Sequence, residues 1–118
     1  MTHHVKTFAL DGSSTWKGAE ERAGAKLRVT PEDLEVRCGI TFERGHNQLD
    51  FDRRAGVVLP SGQRVVLQWY EREPEPRGVV IYVDRAEGVA TAIAQTLAVL
   101  GLTTADALWI AESAAPAG

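Results

Sequence analysis

The sequence of 118 residues predicts one α+β domain, in which a single antiparallel sheet of about five or six strands has helices packed on one face. Three observations predict this fold. Several short segments alternate between apolar and polar residues, turn residues separate neighbouring segments, and one late segment has an apolar stripe at helical spacing. We place this domain at residues 1–112 and expect residues 113–118 to be a frayed tail.

The chain begins with a candidate strand and a segment of less certain type. Residues 4–10 resemble a strand, and Asp11 and Gly12 predict a turn after them. Residues 15–26 can form a helix with several apolar side chains on one side, although Gly18 and Gly24 each disfavour a helix by about 1 kcal/mol relative to alanine. Such a helix would need tertiary support. Residues 26–29 alternate again, as in a strand.

The most regular alternation lies between residues 34 and 43, where apolar residues occupy every even position. This period of two predicts a half-buried strand over residues 34–42, with the inward side chains Val36, Cys38, Ile40 and Phe42. Residues 30–33 allow another interpretation, because Thr30 can cap a helix that has Pro31 at its first position. We interpret residues 30–33 as a turn, because the alternation after them is long.

The middle of the chain contains a predicted β-hairpin. Its strands are residues 56–59 and 64–70, and Gly62 supplies the positive φ that the turn between them needs. A short strand over residues 48–52 precedes the hairpin. Residues 71–77 follow it and contain two prolines and five charges, so we expect an extended, solvated loop there.

The last third of the chain predicts a central strand and a helix. Residues 78–83 are apolar on both faces, which is typical of a strand covered on both sides. A helix over about residues 85–100 follows, with Asp84 as its cap, Glu87 completing a capping box and Gly101 at its end. The stripe that we expect to face the core consists of Val89, Ile93, Leu97 and Leu100.

Residues 107–112 fit two structures. The preceding Thr103 and Asp106 resemble a second helix cap, which favours a helix. The same segment also alternates, with Ala107 and Trp109 on one face and Leu108 on the other, as in a strand. We favour the helix and keep the strand as the alternative.

Composition restricts the possible functions. The formal net charge is −3, so the chain lacks the basic excess on which non-specific nucleic-acid binding depends, and we expect no nucleic-acid partner. No apolar run approaches the roughly 20 residues of a membrane helix, so we expect no membrane partner. The single cysteine and a start unlike a signal peptide predict a cytoplasmic protein. Arginine outnumbers lysine by ten to three, a bias typical of GC-rich bacterial genomes.

One polar cluster has catalytic character: His46, Asn47, Asp50 and Asp52. Asp50 and Asp52 would share one face of the expected strand, with their α-carbons about 7 Å apart. A histidine with two carboxylates can hold a divalent metal or position a water. However, the two arginines that follow Asp52 can neutralise it, and the spacing matches no motif of known geometry. We therefore expect a solvated strand face without a bound metal.

Cys38 is the second candidate for chemistry. Its position between Val36 and Ile40, on the inward side of the expected strand, favours a small buried side chain over a nucleophile. The sequence also has no glycine-rich phosphate loop, no zinc-ligand spacing and no dinucleotide fingerprint. We expect no cofactor and favour a protein without catalytic activity.

The candidate binding surface combines aromatic and acidic residues. Tyr70 ends the expected strand on the side opposite to Trp69, which we place in the core, and Glu71, Glu73 and Glu75 follow. Aromatic residues are enriched at interface hot spots, and acidic rims suit basic partners. We therefore predict that Tyr70, Glu71, Glu73 and Glu75 contact a protein partner or a second subunit.

Three functional hypotheses follow from these features. The first is a small, soluble bacterial protein-binding module without catalytic activity, such as an immunity or antitoxin-like protein or a regulatory or accessory subunit. Self-association is compatible with it, because several strands are apolar on both faces. The second is a small enzyme or a ligand- or metal-binding domain that uses His46, Asp50 and Asp52. The third is a structural or assembly protein of the phage type.

Overall fold

A computed structural model describes residues 5–8, 21–46, 51–73, 76–84 and 88–111 of the chain. These residues form one antiparallel sheet of seven strands and two α-helices, so the predicted α+β class is confirmed. The strands are β1 (Thr7–Phe8), β2 (Glu21–Leu27), β3 (Glu43–His46), β4 (Phe51–Val58), β5 (Arg64–Tyr70), β6 (Val79–Asp84) and β7 (Ala107–Ile110). The helices are α1 (Pro31–Cys38) and α2 (Val89–Leu100), and a 3₁₀ turn, Thr104–Asp106, precedes β7.

The strand order is β1–β4–β5–β6–β2–β7, and β3 also pairs with β4. The predicted central strand is β6. Both of its faces are buried: Val79 and Ile81 lie on one face, and Val80 lies on the other. β7 forms one end of the order. At the other end, β1 and β3 lie end to end along β4, because β5 occupies its opposite edge.

The predicted hairpin is confirmed as β4 and β5. Val57 pairs with Val65, and the ladder continues as far as Asp52 and Tyr70. Gly62 lies in the turn with φ of 91°, a conformation that residues with a Cβ atom rarely adopt. This hairpin places Tyr70 and the loop after it at the end of the two strands that lies opposite the Gly62 turn.

Both helices pack on one face of the sheet. Four strands contribute buried side chains there, among them Leu27, Val57, Leu67 and Ile81. The predicted stripe of α2 is confirmed as buried, namely Val89, Ile93, Leu97 and Leu100. Fully burying such a side chain contributes roughly 1.5–3 kcal/mol, so this stripe is the main attachment of α2 to the sheet.

Residues 31–38 are helical, so the strand predicted over residues 34–42 is wrong. The backbone N–H of Asp33 donates to Thr30 Oγ1 at 3.1 Å, and the N–H of Thr30 donates to Asp33 Oδ2 at 3.1 Å. This capping box starts α1, and Pro31 occupies the first turn, where its missing N–H costs nothing. Gly39, with φ of 69°, ends the helix.

The alternation of apolar residues is compatible with a helix as well as a strand, because residues four positions apart lie about one helical turn apart and share a face of the helix. Leu34 and Cys38 are four residues apart, and both are buried by α1. Val36 lies between them with 82% of its surface exposed, so its predicted inward orientation is wrong. Ile40 and Phe42 follow the helix and are buried, as predicted.

Residues 21–27 form β2, which contradicts a helix over residues 15–26; residues 15–20 lie outside the described residues. β2 contains a bulge at Gly24. The register of β2 shifts at Gly24, and a Cβ there would lie 2.7 Å from Ile93 Cδ1 of α2. A bulged strand without a side chain at this point lets the sheet approach α2 closely.

Residues 107–110 form β7, so the favoured helix over residues 107–112 is wrong and the alternative strand is correct. The predicted cap exists, since the N–H of Thr103 donates to Asp106 Oδ2 at 2.8 Å, but it closes only a 3₁₀ turn. Ala107 is already extended, with φ of −91° and ψ of 134°. Pairing with β2 provides backbone hydrogen bonds that so short a helix could not form within itself.

α2 begins at Val89, later than predicted, and without the predicted cap. Asp84 is the last residue of β6 and pairs with Glu21, so the ladder holds it extended. Gly88 is the N-cap and makes no side-chain hydrogen bond. Residues 85–87 lie outside the described residues. Gly101 ends the helix with φ of 71°, as predicted.

The other predicted strands are present in part. β1 covers only Thr7–Phe8 of the strand predicted over residues 4–10. β4 begins at Phe51, within the strand predicted over residues 48–52. Residues 4, 9–10 and 47–50 lie outside the described ranges.

Candidate functional site

The predicted polar cluster lies only partly within the described residues. His46 is the last residue of β3 and Asp52 lies on β4, but Asn47 and Asp50 fall outside these ranges. Among the residues that the structure describes, no group of three or more His, Cys, Asp or Glu side chains could hold a metal. A catalytic or metal-binding role of the whole cluster stays a prediction.

Asp52 is buried, whereas the sequence suggested a solvated strand face. The Gln68 Nε2 donates to Asp52 Oδ2 at 2.6 Å, and the Arg54 Nε lies 3.1 Å from the same oxygen. These neighbours lie on the same face of β4 and β5, opposite the helices. Asp52 is therefore an internal acceptor that Arg54 neutralises, and its carboxylate is occupied by contacts within the sheet.

Cys38 ends α1 with 2% of its surface exposed, in agreement with the predicted burial. Its Sγ donates to the carbonyl oxygen of Leu100 at 3.6 Å. Desolvation by burial raises the pKa of the thiol, and the nearby Arg37 offsets only part of this effect. Cys38 is thus a packing residue whose thiolate is disfavoured, which is the opposite of an activated nucleophile.

The predicted binding residues lie at the end of β5 and in the loop after it. Tyr70 is half-buried and pairs in register with Asp52. The Glu71 Oε1 lies 3.5 Å from the Arg44 Nη2 and 3.9 Å from the Arg53 Nη2. Glu75 lies outside the described residues. Glu71 therefore connects the loop to β3 and β4, in addition to any contact with a partner.

Glu73 forms a second ion pair, with Lys26 of β2. Its Oε1 lies 3.0 Å from the Lys26 Nζ, and the Lys26 side chain is only 10% exposed. The other oxygen of Glu73 is buried and has no hydrogen-bond partner among the described residues. An ammonium group removed from water needs a compensating charge, so Glu73 stabilises the position of Lys26 on the sheet.

These ion pairs weaken the acidic character of the predicted surface. Glu71 and Glu73 are both neutralised by cations of the same chain. A basic partner would have to compete with these cations, so the charge available to steer it is smaller than the sequence suggests. The contact role of Tyr70, Glu71, Glu73 and Glu75 stays a prediction.

A different surface lies at the opposite end of the strand order, where β7 presents an open edge. β2 pairs with one edge of β7, and within the described ranges no strand pairs with the other. The N–H of Ala111 donates to the carbonyl oxygen of Gly24 at 2.8 Å. Since successive residues of a strand alternate in direction, the N–H and C=O of Ile110 point away from β2. Trp109 on this strand is 43% exposed.

A groove of about 320 Å³ lies between α2 and β7. It is lined mainly by apolar side chains, including Ala90, Ile93, Ala94, Leu97 and Ile110. Since Ile110 lines the groove together with residues of α2, the groove borders β7 on the face of the sheet that carries the helices.

The surface formed by α2 and β7 is almost free of charge. Residues 88–111 contain one ionisable side chain, Asp106, which caps the 3₁₀ turn. By contrast, charged residues make up 25% of the whole chain. No helix in the described ranges is both long and apolar enough to cross a membrane.

Sequence reasoning missed this surface, although a signal was present. The long stretch with a single ionisable residue is visible in the sequence. However, residues 107–110 were assigned to a helix, and only the strand order makes β7 an edge with Trp109 exposed.

Comparison of the chain with protein families, with characterised proteins and with solved structures finds no match. Function therefore has to be inferred from the geometry of these surfaces.

Proposed function

We propose that this protein is a bacterial binding module without catalytic activity, which associates with another polypeptide through the open edge of β7. The observation that supports this proposal is the juxtaposition of an edge of β7 with which no described strand pairs, an exposed tryptophan and an uncharged groove. The described candidates for chemistry point the same way, because Asp52 and Cys38 are both engaged in internal contacts.

The open edge can accept an additional strand. Soluble proteins usually protect such edges with short or bulged strands, lysine, proline or inward charges, because unpaired N–H and C=O groups recruit other chains. β7 is short and bulged, but its sequence, Ala-Leu-Trp-Ile, contains no lysine, proline or inward charge. An extended segment would form backbone hydrogen bonds with the outward groups of Ile110, which is the mode known as β-augmentation.

The side chains around the edge would supply affinity and selectivity. Trp109 offers the large apolar area that is enriched at interface hot spots. On the other face, the groove between α2 and β7 would receive an apolar side chain of the added strand. The preferred ligand is therefore an extended, apolar polypeptide segment.

An array of short synthetic peptides tests this proposal. We expect extended, apolar peptides to bind the native protein and to lose binding to Trp109→Lys, which places a charge at the edge. The matched control is Val36→Lys, because Val36 is another exposed apolar side chain and lies on α1, which is not part of the sheet. Circular dichroism verifies that both variants are folded.

Two results would argue against the edge as the binding site. One is peptide binding that is equal in Trp109→Lys and Val36→Lys. The other is binding that survives Trp109→Lys but is lost in Glu71→Gln and Glu73→Gln, which would move the site to the loop after β5. Absence of any bound peptide, together with a monomeric protein, would contradict the proposal as a whole.

A further inference from the structure

The edge of β7 is complementary to itself. We infer that its occupant is β7 of a second copy of this chain, paired antiparallel about a two-fold axis so that two sheets become one. This inference rests on the proposed function, since it names the partner of the same edge. Three features support it: the bulge in β7, the sizes of its side chains and the distribution of charge.

The bulge determines which β7 side chains share a face. Ala107 pairs with Leu27, Trp109 with Lys26 and Ile110 with Ala25, so Leu108 is the additional residue of the bulge. Ala107 and Ile110 pack against the core on the helix side.

Trp109 and Leu108 lie on the opposite face. Trp109 lies opposite Lys26, whose neighbours Ala25 and Leu27 face the core. The Leu108 Cδ1 and the Lys26 Cγ both lie 3.1 Å from the position that a Cβ on Gly78 would occupy, so Leu108 is on the same side as Lys26. Along β7, the first and last residues therefore face the helices, and the two residues between them, Leu108 and Trp109, point to the opposite face of the sheet.

This order permits one register between two copies. An axis between Leu108 and Trp109 pairs Ala107 with Ile110 of the second copy, and Leu108 with its Trp109. Each pair then joins side chains on the same face, as cross-strand partners require. A shift by one residue would pair Leu108 with Ile110 of the second copy, which lies on the opposite face.

The sizes of the paired side chains are also complementary. The small Ala107 would lie opposite the larger Ile110 of the second copy, next to the groove along α2. Leu108 would cover part of the exposed indole of Trp109. Because the interface is isologous, each of these contacts occurs twice.

Charge favours association through this edge. Each copy has a formal net charge of −3, so two copies repel one another wherever their acidic surfaces meet. Where α2 adjoins β7, its exposed side chains are small and uncharged, namely Ala90, Thr91 and Ala94. The α2 side of the interface therefore brings no like charges together, whereas a charged partner segment would find no opposite charge there to orient it.

Sedimentation equilibrium over a wide range of protein concentration tests the inference. We expect a dimer for the native protein and for the control Val36→Lys. Trp109→Lys should raise the dissociation constant of the dimer by roughly 30-fold or more, as expected for a hot spot. Circular dichroism checks that each variant is folded.

A mixing experiment tests the register. Leu108→Glu and Trp109→Lys should each be monomeric alone, because each would place two charges in the apolar interface. Mixed together, they should form a heterodimer, since Glu and Lys are then cross-strand neighbours. A mixture that stays monomeric would overturn the inference.

Other outcomes separate this inference from the proposed function. A monomeric native protein overturns the self-pairing, and the proposed function stands if peptides in the array still bind in a Trp109-dependent manner. A dimer that Trp109→Lys leaves intact also overturns it, because the two copies would then meet elsewhere.

Discussion

Lys26 and Asp52 lie on the face of the sheet opposite the helices, and both form ion pairs within the fold. Lys26 lies between Ala25 and Leu27, which face the core, so its own side chain is on the side away from the helices. Its ammonium group is compensated by Glu73. Asp52, on the same side, is compensated by Arg54. Both carboxylates were candidates for function in the sequence, and both stabilise the sheet.

The pair between Lys26 and Glu73 gives a prediction at this scale. Glu73→Gln should lower the free energy of unfolding by about 1–3 kcal/mol, because Lys26 keeps its charge in a desolvated position without a carboxylate. Urea unfolding measures this loss. The exposed pair of Glu32 with Arg53 is the comparison, and Glu32→Gln should cost less than about 1 kcal/mol.

A double-mutant cycle isolates the pair itself. Lys26→Met combined with Glu73→Gln should cost less than the sum of the two single substitutions, since neither partner is then left charged and alone. Strictly additive losses would contradict the coupling.

Cys38 gives a prediction on pH. Burial raises the pKa of its thiol, so the folded protein keeps a proton that the unfolded chain loses above the ordinary thiol pKa of about 8.5. Its contribution to stability is complete below that pH and declines as the pH rises toward the folded pKa. The stability difference between the native protein and Cys38→Ala should therefore narrow in alkaline solution. Urea unfolding at several pH values measures it, and parallel pH profiles would contradict the assignment.

At the scale of elements, α1 shows that capping can decide between a helix and a strand. Isolated helices shorter than about 12 residues are marginal in water, and α1 has 8 residues. It depends on the capping box of Thr30 and Asp33 and on the burial of Leu34 and Cys38. The capping box and the buried side chains together stabilise the helix, even though the alternation of residues 34–42 is typical of a strand.

Two substitutions distinguish the helix from the strand. Thr30→Ala should cost about 1 kcal/mol, because it removes the acceptor for the N–H of Asp33. Val36→Lys should change stability by less than about 0.5 kcal/mol, since the side chain is exposed. Thermal melts of both variants provide the measurement. A severe loss in Val36→Lys would restore the inward orientation of a strand.

At the scale of the whole molecule, the strand order separates a protected centre from two different ends. β6 has hydrogen-bonded neighbours on both sides and lies under α2. β1 has two residues and pairs only with β4 among the described strands. β7 is four residues long, and none of the strands in the described ranges pairs with its outer edge. Cohesion is therefore greatest at the centre of the sheet, and the β7 end is where we propose that association occurs.

Amide hydrogen exchange should follow this order. Amides of β6 should exchange only through global unfolding, and those of β1 through local opening, since fewer contacts hold β1. In β7, the proposed dimer should protect the N–H of Ile110, which should exchange rapidly in Trp109→Lys. Exchange in β1 as slow as in β6 would contradict the gradient of stability.

The sequence by itself determined those elements whose signals are local. Apolar segments on both sides of a turn that contains Gly62 predicted the β4–β5 hairpin, and continuous apolar character predicted β6. The stripe that includes Ile93, with Gly101 as the terminator, predicted the buried face and the end of α2. In each case the residues that specify the element are neighbours in the chain and their signals agree, unlike residues 30–42, where a helix cap precedes an alternating segment.

Tertiary structure alone decided the elements whose partners are distant in sequence. β2 and β7 became strands because β6 and β2, respectively, supply their backbone hydrogen bonds, and Gly24 allows α2 to approach. The same is true of both surfaces: Glu73 meets Lys26 only after the sheet forms, and β7 is an edge only because of the strand order. Periodicity in a short segment reports which side chains share a face, but pairing between distant segments determines which backbone groups and charges remain available to a partner.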